Sequence, residues 1–290
     1  MLYDILIGPF ADYAFMRRAL LACLALALGG GPIGVLLVLR RMSLMGDALA
    51  HSVLPGAAIG FVIGGLSLPA MGIGGMVAGL TVALLSGAVS RATGLVEEAS
   101  LAGFFLIALA LGVLVVSLGG SSVDLTNVLF GSVLAVDPPS LLLVAGIAGV
   151  TLLVLVPAWR PLVYESFDPD FLHTVGGGGS ARWHMLFLIL VVLNLVAGFQ
   201  ALGTLMALGL MILPAIAARM WARDVWRMAA LASGIAFASG VGGLLVSWHA
   251  GVPSGPAIVL VAGAVYAVSL AFGPQGGMLR RRQGNPSRHA

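Results

Sequence analysis

Asp47 and His51 stand four residues apart in RRMSLMGDALAHSVLPGAAIG, the segment from Arg40 to Gly60. In a helix that spacing puts both side chains on one face. Arg41 is expected at the edge of a membrane, with Ser43 as N-cap of the helix that follows. At about 1.5 Å per residue Asp47 then lies roughly 9 Å inward and His51 roughly 15 Å, near the middle of a core about 30 Å thick. Pro55 has no amide proton for the carbonyl of His51, so that oxygen is left free one turn away and the helix bends. A carboxylate, an imidazole and a free carbonyl make half of a divalent-cation site. Without thiolate, the set suits Zn²⁺, Mn²⁺ or Fe²⁺ better than Cu⁺. An acid early in a helix can instead serve the helix dipole, but ionisable groups within membrane helices are functional by default.

Other segments offer fewer groups. His249, in the Pro/Gly-rich turn SWHAGVPSGPAIVL from Ser247 to Leu260, could capture a metal at a mouth or sit at an interface as an amphipathic side chain. Met206 and Met211, beside Pro214 in an apolar run, read as packing. Gln200 either lines an entrance or bonds between helices.

The elements that must position these groups are membrane helices. Of 290 residues, 60% are hydrophobic and 9% charged, and the mean hydropathy is +1.10. A soluble domain carries about 25% charge, so a water-soluble fold is excluded. Apolar runs at 17–38, 44–63, 69–89, 100–117, 139–157, 184–199, 202–218, 229–248 and 256–273 give about nine spans, eight being the lower count. The fold class is therefore all-α: one transmembrane domain over 1–290, with the bundle at 17–273, a cytoplasmic loop at 158–184 and a flexible basic cytoplasmic tail at 274–290. Met1 to Tyr13 lacks the basic start and small-residue site of a cleaved signal.

Arg40, Arg41, Arg91, Arg160, Arg182, Arg219, Arg223, Arg227 and Arg280 to Arg282 all fall on one side of such a bundle, which places that side and the C-terminus in the cytoplasm. Arg17 and Arg18 fall on the outer side and are expected to snorkel. The net charge of +3 comes from these membrane-edge arginines, so nucleic acid is not an expected partner. Gly56, Gly60 and Gly64, and Gly75 and Gly79, recur at the four-residue spacing that lets helices pack closely. Cys23 is the single cysteine, which excludes an intrachain disulfide and a thiolate cluster. A short interfacial helix is expected near Leu125 to Val136.

Within 158–184 the stretch FDPDFLHTVGGGG spells a short helix. Asp168 suits the N-cap, Pro169 the first helical position, and Gly176 to Gly179 stop it. Phe167, Phe171, Leu172 and Val175 form an apolar side too small to be stable alone. Such an element lies on the membrane surface or docks onto a cytoplasmic partner.

In order and spacing, RRMSLMGDALAHSVLPG, VDLTNVLFGSVLAV, FDPDFLHTVG, GTLMALGLMILPAIAAR and VPSGPAIVL resemble the permease subunit of the ABC importers for zinc, manganese and iron(II), over nearly the whole chain. The resemblance implies a dimer of this chain, two cytoplasmic ATP-binding subunits and an extracytoplasmic metal-binding protein in a bacterial inner membrane. It implies alternating access, no permanent cofactor, and a transported metal as the only ion. It makes FDPDFLHTVG the coupling helix, with Asp168, Pro169, Phe171, Leu172, Val175 and Gly176 at the ATPase, and puts Asp47 and His51 in the metal pathway. Leu172 replaces a small residue usual in the family. Gly251 stands where relatives often carry an acidic or polar residue, which makes His249 the replacement candidate. LFGSVLAV looks closest to zinc-importing relatives, so zinc is the expected cargo, with manganese and iron(II) next.

An enzyme is not expected. A Walker A loop requires GK[ST], and the chain has no lysine; DALAH is not the HExxH of a metalloprotease. A secondary carrier or channel working without an ATPase is the alternative, but a carrier needs several intramembrane acids, and every acid except Asp47 is expected in or near a loop or terminus.

Overall fold

The computed structural model describes residues 3, 6–65, 67–118, 136–167 and 180–275, and every regular element among them is a helix. In chain order these are α1 (Gly8–Asp12), α2 (Ala14–Leu39), α3 (Ser43–Gly64), α4 (Leu68–Thr93), α5 (Glu97–Leu118), α6 (Pro138–Phe167), α7 (Ser180–Leu202), α8 (Thr204–Arg219), α9 (Val225–Ala250) and α10 (Ser254–Phe272). Eight of them are long and apolar enough to cross a membrane, and the 16-residue α8 completes the expected nine. The residues expected to form an interfacial helix lie outside the described residues except Val136, and so do 168–179 and nearly all of the tail.

Helix α2 is the most enclosed span. Its run Gly29–Gly30–Gly31–Pro32–Ile33–Gly34 explains why: a Cβ at Gly34 would fall on the backbone of Met211 in α8, and one at Gly31 on Ser233 in α9. The missing side chains let two helices approach α2 at backbone distance. One end of α2 packs Val35 and Val38 against Ala215, Ala218, Ala222 and Met228. The other end meets α9 through Trp248, whose ring lies 4.7 Å from Tyr13 and 6.0 Å from Phe15.

The expected glycine seam is present. Gly56 faces Gly74 of α4, and Gly60 faces Ala70 and Met71, so α3 and α4 pack backbone to backbone. Gly75 and Gly79 take the Val53 side chain of α3. Pro55 lies inside a continuous α3 and packs on Gly112 of α5.

Several boundaries differ from the sequence reading. Helix α6 runs through Pro157 and Pro161 to Phe167, ten residues beyond the expected end at 157. Its start is set by Asp137, whose Oδ1 accepts from the amide of Ser140 at 3.1 Å; that hydrogen bonding holds the Asp137 carboxyl below its usual range, against desolvation. Ser43 does not cap α3, because Met42 holds that position without a side-chain bond. The entry is fixed by the end of α2: the amide of Met42 bonds Leu37 O at 2.9 Å and that of Arg41 bonds Val38 O at 3.2 Å. These are the two bonds of a Schellman motif, with Arg41 at the left-handed position, φ 60°. Arg17 does not reach for solvent alone; its Nη1 donates to Ala11 O at 2.6 Å.

Arg41→Gly should relieve about 1 kcal/mol of left-handed strain and raise the melting temperature in detergent. Gly34→Leu and Gly56→Leu, each aimed at a neighbouring backbone, should lower it by overpacking of at least about 1–3 kcal/mol. An unchanged melting temperature for the leucine variants would exclude the close approaches described.

Candidate functional site

On α3 the buried positions Met45, Leu49 and Val53 face the core, which leaves Leu44, Asp47 and His51 on the opposite ridge. Asp47 Oδ1 lies 3.6 Å from His51 Nε2, and the two side chains are 64% and 43% exposed. The His51 ring sits 5.9 Å from Phe105 of α5. The sequence-predicted pair is thus brought together, with both groups turned out of the single-chain bundle and the carbonyl freed by Pro55 one turn away. The pair presents carboxylate oxygen and imidazole nitrogen side by side on one exposed ridge.

The structure does not bring His249 to them. His249 belongs to the last turn of α9, beside Trp248 and hence at the Tyr13 end of α2. Asp47 follows Arg40, at the other end of that 26-residue helix, so His249 lies on the order of 30 Å away along the bundle. Among the described residues no group of three or more His, Cys, Asp or Glu is arranged to hold a metal. Met206 and Met211 are buried, as expected of packing residues. Gln200, near the outer end of α7, lies against Gly72 of α4. The coupling residues Asp168, Pro169, Phe171, Leu172, Val175 and Gly176 lie outside the described residues.

A second polar cluster was not expected from the sequence. Arg40, just past α2, has a side chain only 5% exposed and pairs with Glu165 near the end of α6, itself 7% exposed. Glu165 Oε2 meets the guanidinium as an ion pair without a well-aligned hydrogen bond. Arg40 Nε donates to Ser166 Oγ at 2.9 Å, Nη2 donates to Leu162 O at 3.2 Å, and the guanidinium carbon lies 3.9 Å from the centre of the Phe187 ring. His184, in the second turn of α7, puts Nε2 at 2.7 Å from Glu97 Oε1, at the start of α5. Its Nδ1 lies 3.2 Å from Glu165 Oε1 and 3.4 Å from Arg40 Nη1, and serves one or the other according to its proton. Burial pulls the Arg40 guanidinium below its ordinary pKa, while the charges of Glu165 and Glu97 oppose the shift.

The expectation that the loop begins at 158 is therefore corrected at Glu165, which sits inside α6, two residues before its end, and is buried. A signal for it was available. The buried face of α6 runs Val144, Ala148, Thr151, Leu155, Ala158, Leu162 and then Glu165, three- and four-residue steps that carry the acid onto the core side. Ending the helix at Pro157 concealed it.

The fold and sequence have known counterparts. The chain is 34% identical over 271 residues to the manganese transport system membrane protein MntC of Halalkalibacterium halodurans, covering 93% of this chain and 91% of the relative. It is 32% identical over 287 residues to the zinc transport system membrane protein TroC of Treponema pallidum, covering 94% and 95%. The solved structure of PsaBC from Streptococcus pneumoniae in complex with Fab superposes with a TM-score of 0.82 at 29% identity, covering 97% of this chain and all of that one. At similar identity, relatives named for manganese outnumber those named for chelated iron or zinc, so the expectation that zinc leads is not upheld. The model of the ABC 3 transport family matches residues 12–273, and the chain belongs to that family, as a multi-pass membrane permease of metal ABC importers.

Proposed function

We propose that this chain is the membrane subunit through which a divalent transition metal, manganese first and iron(II) or zinc next, enters the cytoplasm by alternating access. The observation that carries the reading is the Asp47–His51 pair on the outward ridge of α3. A carboxylate turned toward hydrocarbon costs roughly 2.5–3.5 kcal/mol, so that ridge must face protein or a water-lined path. A second copy of the chain, with the two ridges facing, supplies both the cover and the missing half of the ligand set. Carboxylate and carbonyl oxygens beside a single imidazole per chain suit Mn²⁺ better than an all-nitrogen set would.

The whole chain acts as one permease domain of a bacterial inner membrane, with the arginine-bearing end in the cytoplasm. Without a lysine for a Walker A loop it depends on two copies of a separate ATP-binding subunit. The segment Asp168 to Gly176, including Pro169, Phe171, Leu172 and Val175, docks onto that subunit as the coupling helix. An extracytoplasmic metal-binding protein delivers the ion at the opposite end, where His249 stands as an outer contact.

Asp47→Ala and His51→Ala should each reduce manganese uptake more than about tenfold, the effect of about 1.4 kcal/mol or more at one ligand, while co-purification with the ATPase subunit persists. Uptake at the unaltered rate in cells lacking other importers would overturn the pathway role. Replacing 168–175 by a Gly/Ser linker should leave ATP hydrolysis without metal transport; an unchanged ratio of metal moved to ATP consumed in reconstituted vesicles would refute docking. Competition among Mn²⁺, Zn²⁺ and Fe²⁺ in the same vesicles should give preference to Mn²⁺.

A further inference from the structure

Four inner helix ends meet at the Arg40 cluster, and two of them bracket the proposed coupling segment. Glu165 and Ser166 stand immediately before 168–179, and His184 shortly after it. Ser166 Oγ, at 2.9 Å, and Glu165, by its ion pair, engage the Arg40 guanidinium directly, and His184 Nδ1 joins them through Glu165 Oε1 at 3.2 Å or Arg40 Nη1 at 3.4 Å according to its proton. His184 extends the cluster to Glu97 at 2.7 Å, which adds the start of α5. Arg40 is in turn three residues from the start of α3, across a turn closed by the amides of Arg41 and Met42. Asp47 follows one turn into α3.

We propose that Glu165 and His184 are positioning residues that fasten both feet of the coupling segment to Arg40, so that its displacement moves α3 and with it Asp47 and His51. The inference rests on the reading of 168–176 as the coupling segment and of Asp47 and His51 as the metal pathway. Three features support a transmitting role over a merely stabilising one. The guanidinium is held on several sides, by Glu165, Ser166, Leu162 O and the Phe187 face, so it cannot swing to absorb a shift of α6. The turn to α3 has no slack, since Met42 N bonds back to Leu37 O at 2.9 Å. The polar contacts join helices that the apolar core also packs, so the ends move with their helices: Leu162 and Trp159 of α6, Phe187 and Leu188 of α7, and Met45 and Leu49 of α3 share one cluster.

The test uses the complete importer, permease with its ATP-binding subunit, in vesicles supplied with manganese. E165Q and H184Q keep approximate shape and remove the charge or the second ring nitrogen. E165Q leaves Arg40 buried and unpaired and should lower the melting temperature. In the complex that assembles, both variants should leave basal ATP hydrolysis unchanged while lowering the manganese moved per ATP consumed about tenfold, so the ratio and not the stability carries the test. The swapped pair R40E/E165R should recover part of that ratio, which R40E alone should not. A merely structural cluster would change yield and melting temperature and leave the ratio alone, and that result overturns the proposal. The linker replacement of 168–175 is run in parallel. If it uncouples and E165Q does not, the relay fails alone; if the linker replacement leaves coupling intact, the coupling reading has failed and the relay with it.

Discussion

A buried ionised side chain has no water to solvate it, so it must be paired, enclosed by protein or set against a polar path. Arg40 and Glu165 meet this constraint by closure. Each is more than nine-tenths buried, each lies against the other, and the guanidinium's remaining donors are taken by Ser166 and a backbone carbonyl. Removing one partner from such a pair typically costs about 3–5 kcal/mol, because the other charge stays behind. The arginine-bearing ends of α2, α5, α6 and α7 are therefore held as a unit.

Asp47 and His51 meet the same constraint in the opposite way. They are left open, 3.6 Å from each other, with the Phe105 ring tilted against His51 at 5.9 Å. The difference is set by what lies behind α3. Gly56 and Gly60 draw its back against α4, and Pro55 seats on Gly112 of α5, so the helix is committed on two sides and its third ridge stays open among the described residues. A closed cluster and an open pair thus stand seven residues apart: one holds helix ends in position, and the other is the pair proposed to meet the metal.

Most of the fold was legible in the sequence because hydrocarbon enforces a simple rule, about twenty apolar residues for each crossing. The glycine seam at Gly56 and Gly60 and the pairing of Asp47 with His51 followed from four-residue spacing alone. Legibility stopped where the apolar run was taken to end the helix at 157. The helix continues through Pro157 and Pro161 and carries Glu165 into the core. It stopped again at α3, where a serine suited to capping was overridden by a Schellman turn that requires a left-handed Arg41. The Arg40 cluster joins residues 40, 97, 165 and 184, and no local pattern encodes pairing across such separations. His249 was a reasonable ligand by residue type, but the direction of α9 carries it to the far end of the bundle.

On the proposed reading, the placement of Asp47 and His51 on an open ridge would also constrain how a metal is released from between two copies of the chain. Two side chains and one carbonyl hold a divalent ion weakly, and tight capture in a resting dimer would need both ridges in register. Such a site can be assembled or taken apart by moving α3 only a little, since coordination distances near 2.0–2.2 Å tolerate little displacement before a ligand is lost. An open ridge would let such ligands separate, while the Schellman turn at Arg40 to Met42 gives α3 a stiff handle at its N-terminal end. A site built from a rigid helix and completed across an interface loses affinity through rigid-body motion, without any side chain changing rotamer, and that is the property alternating access requires of a metal pathway.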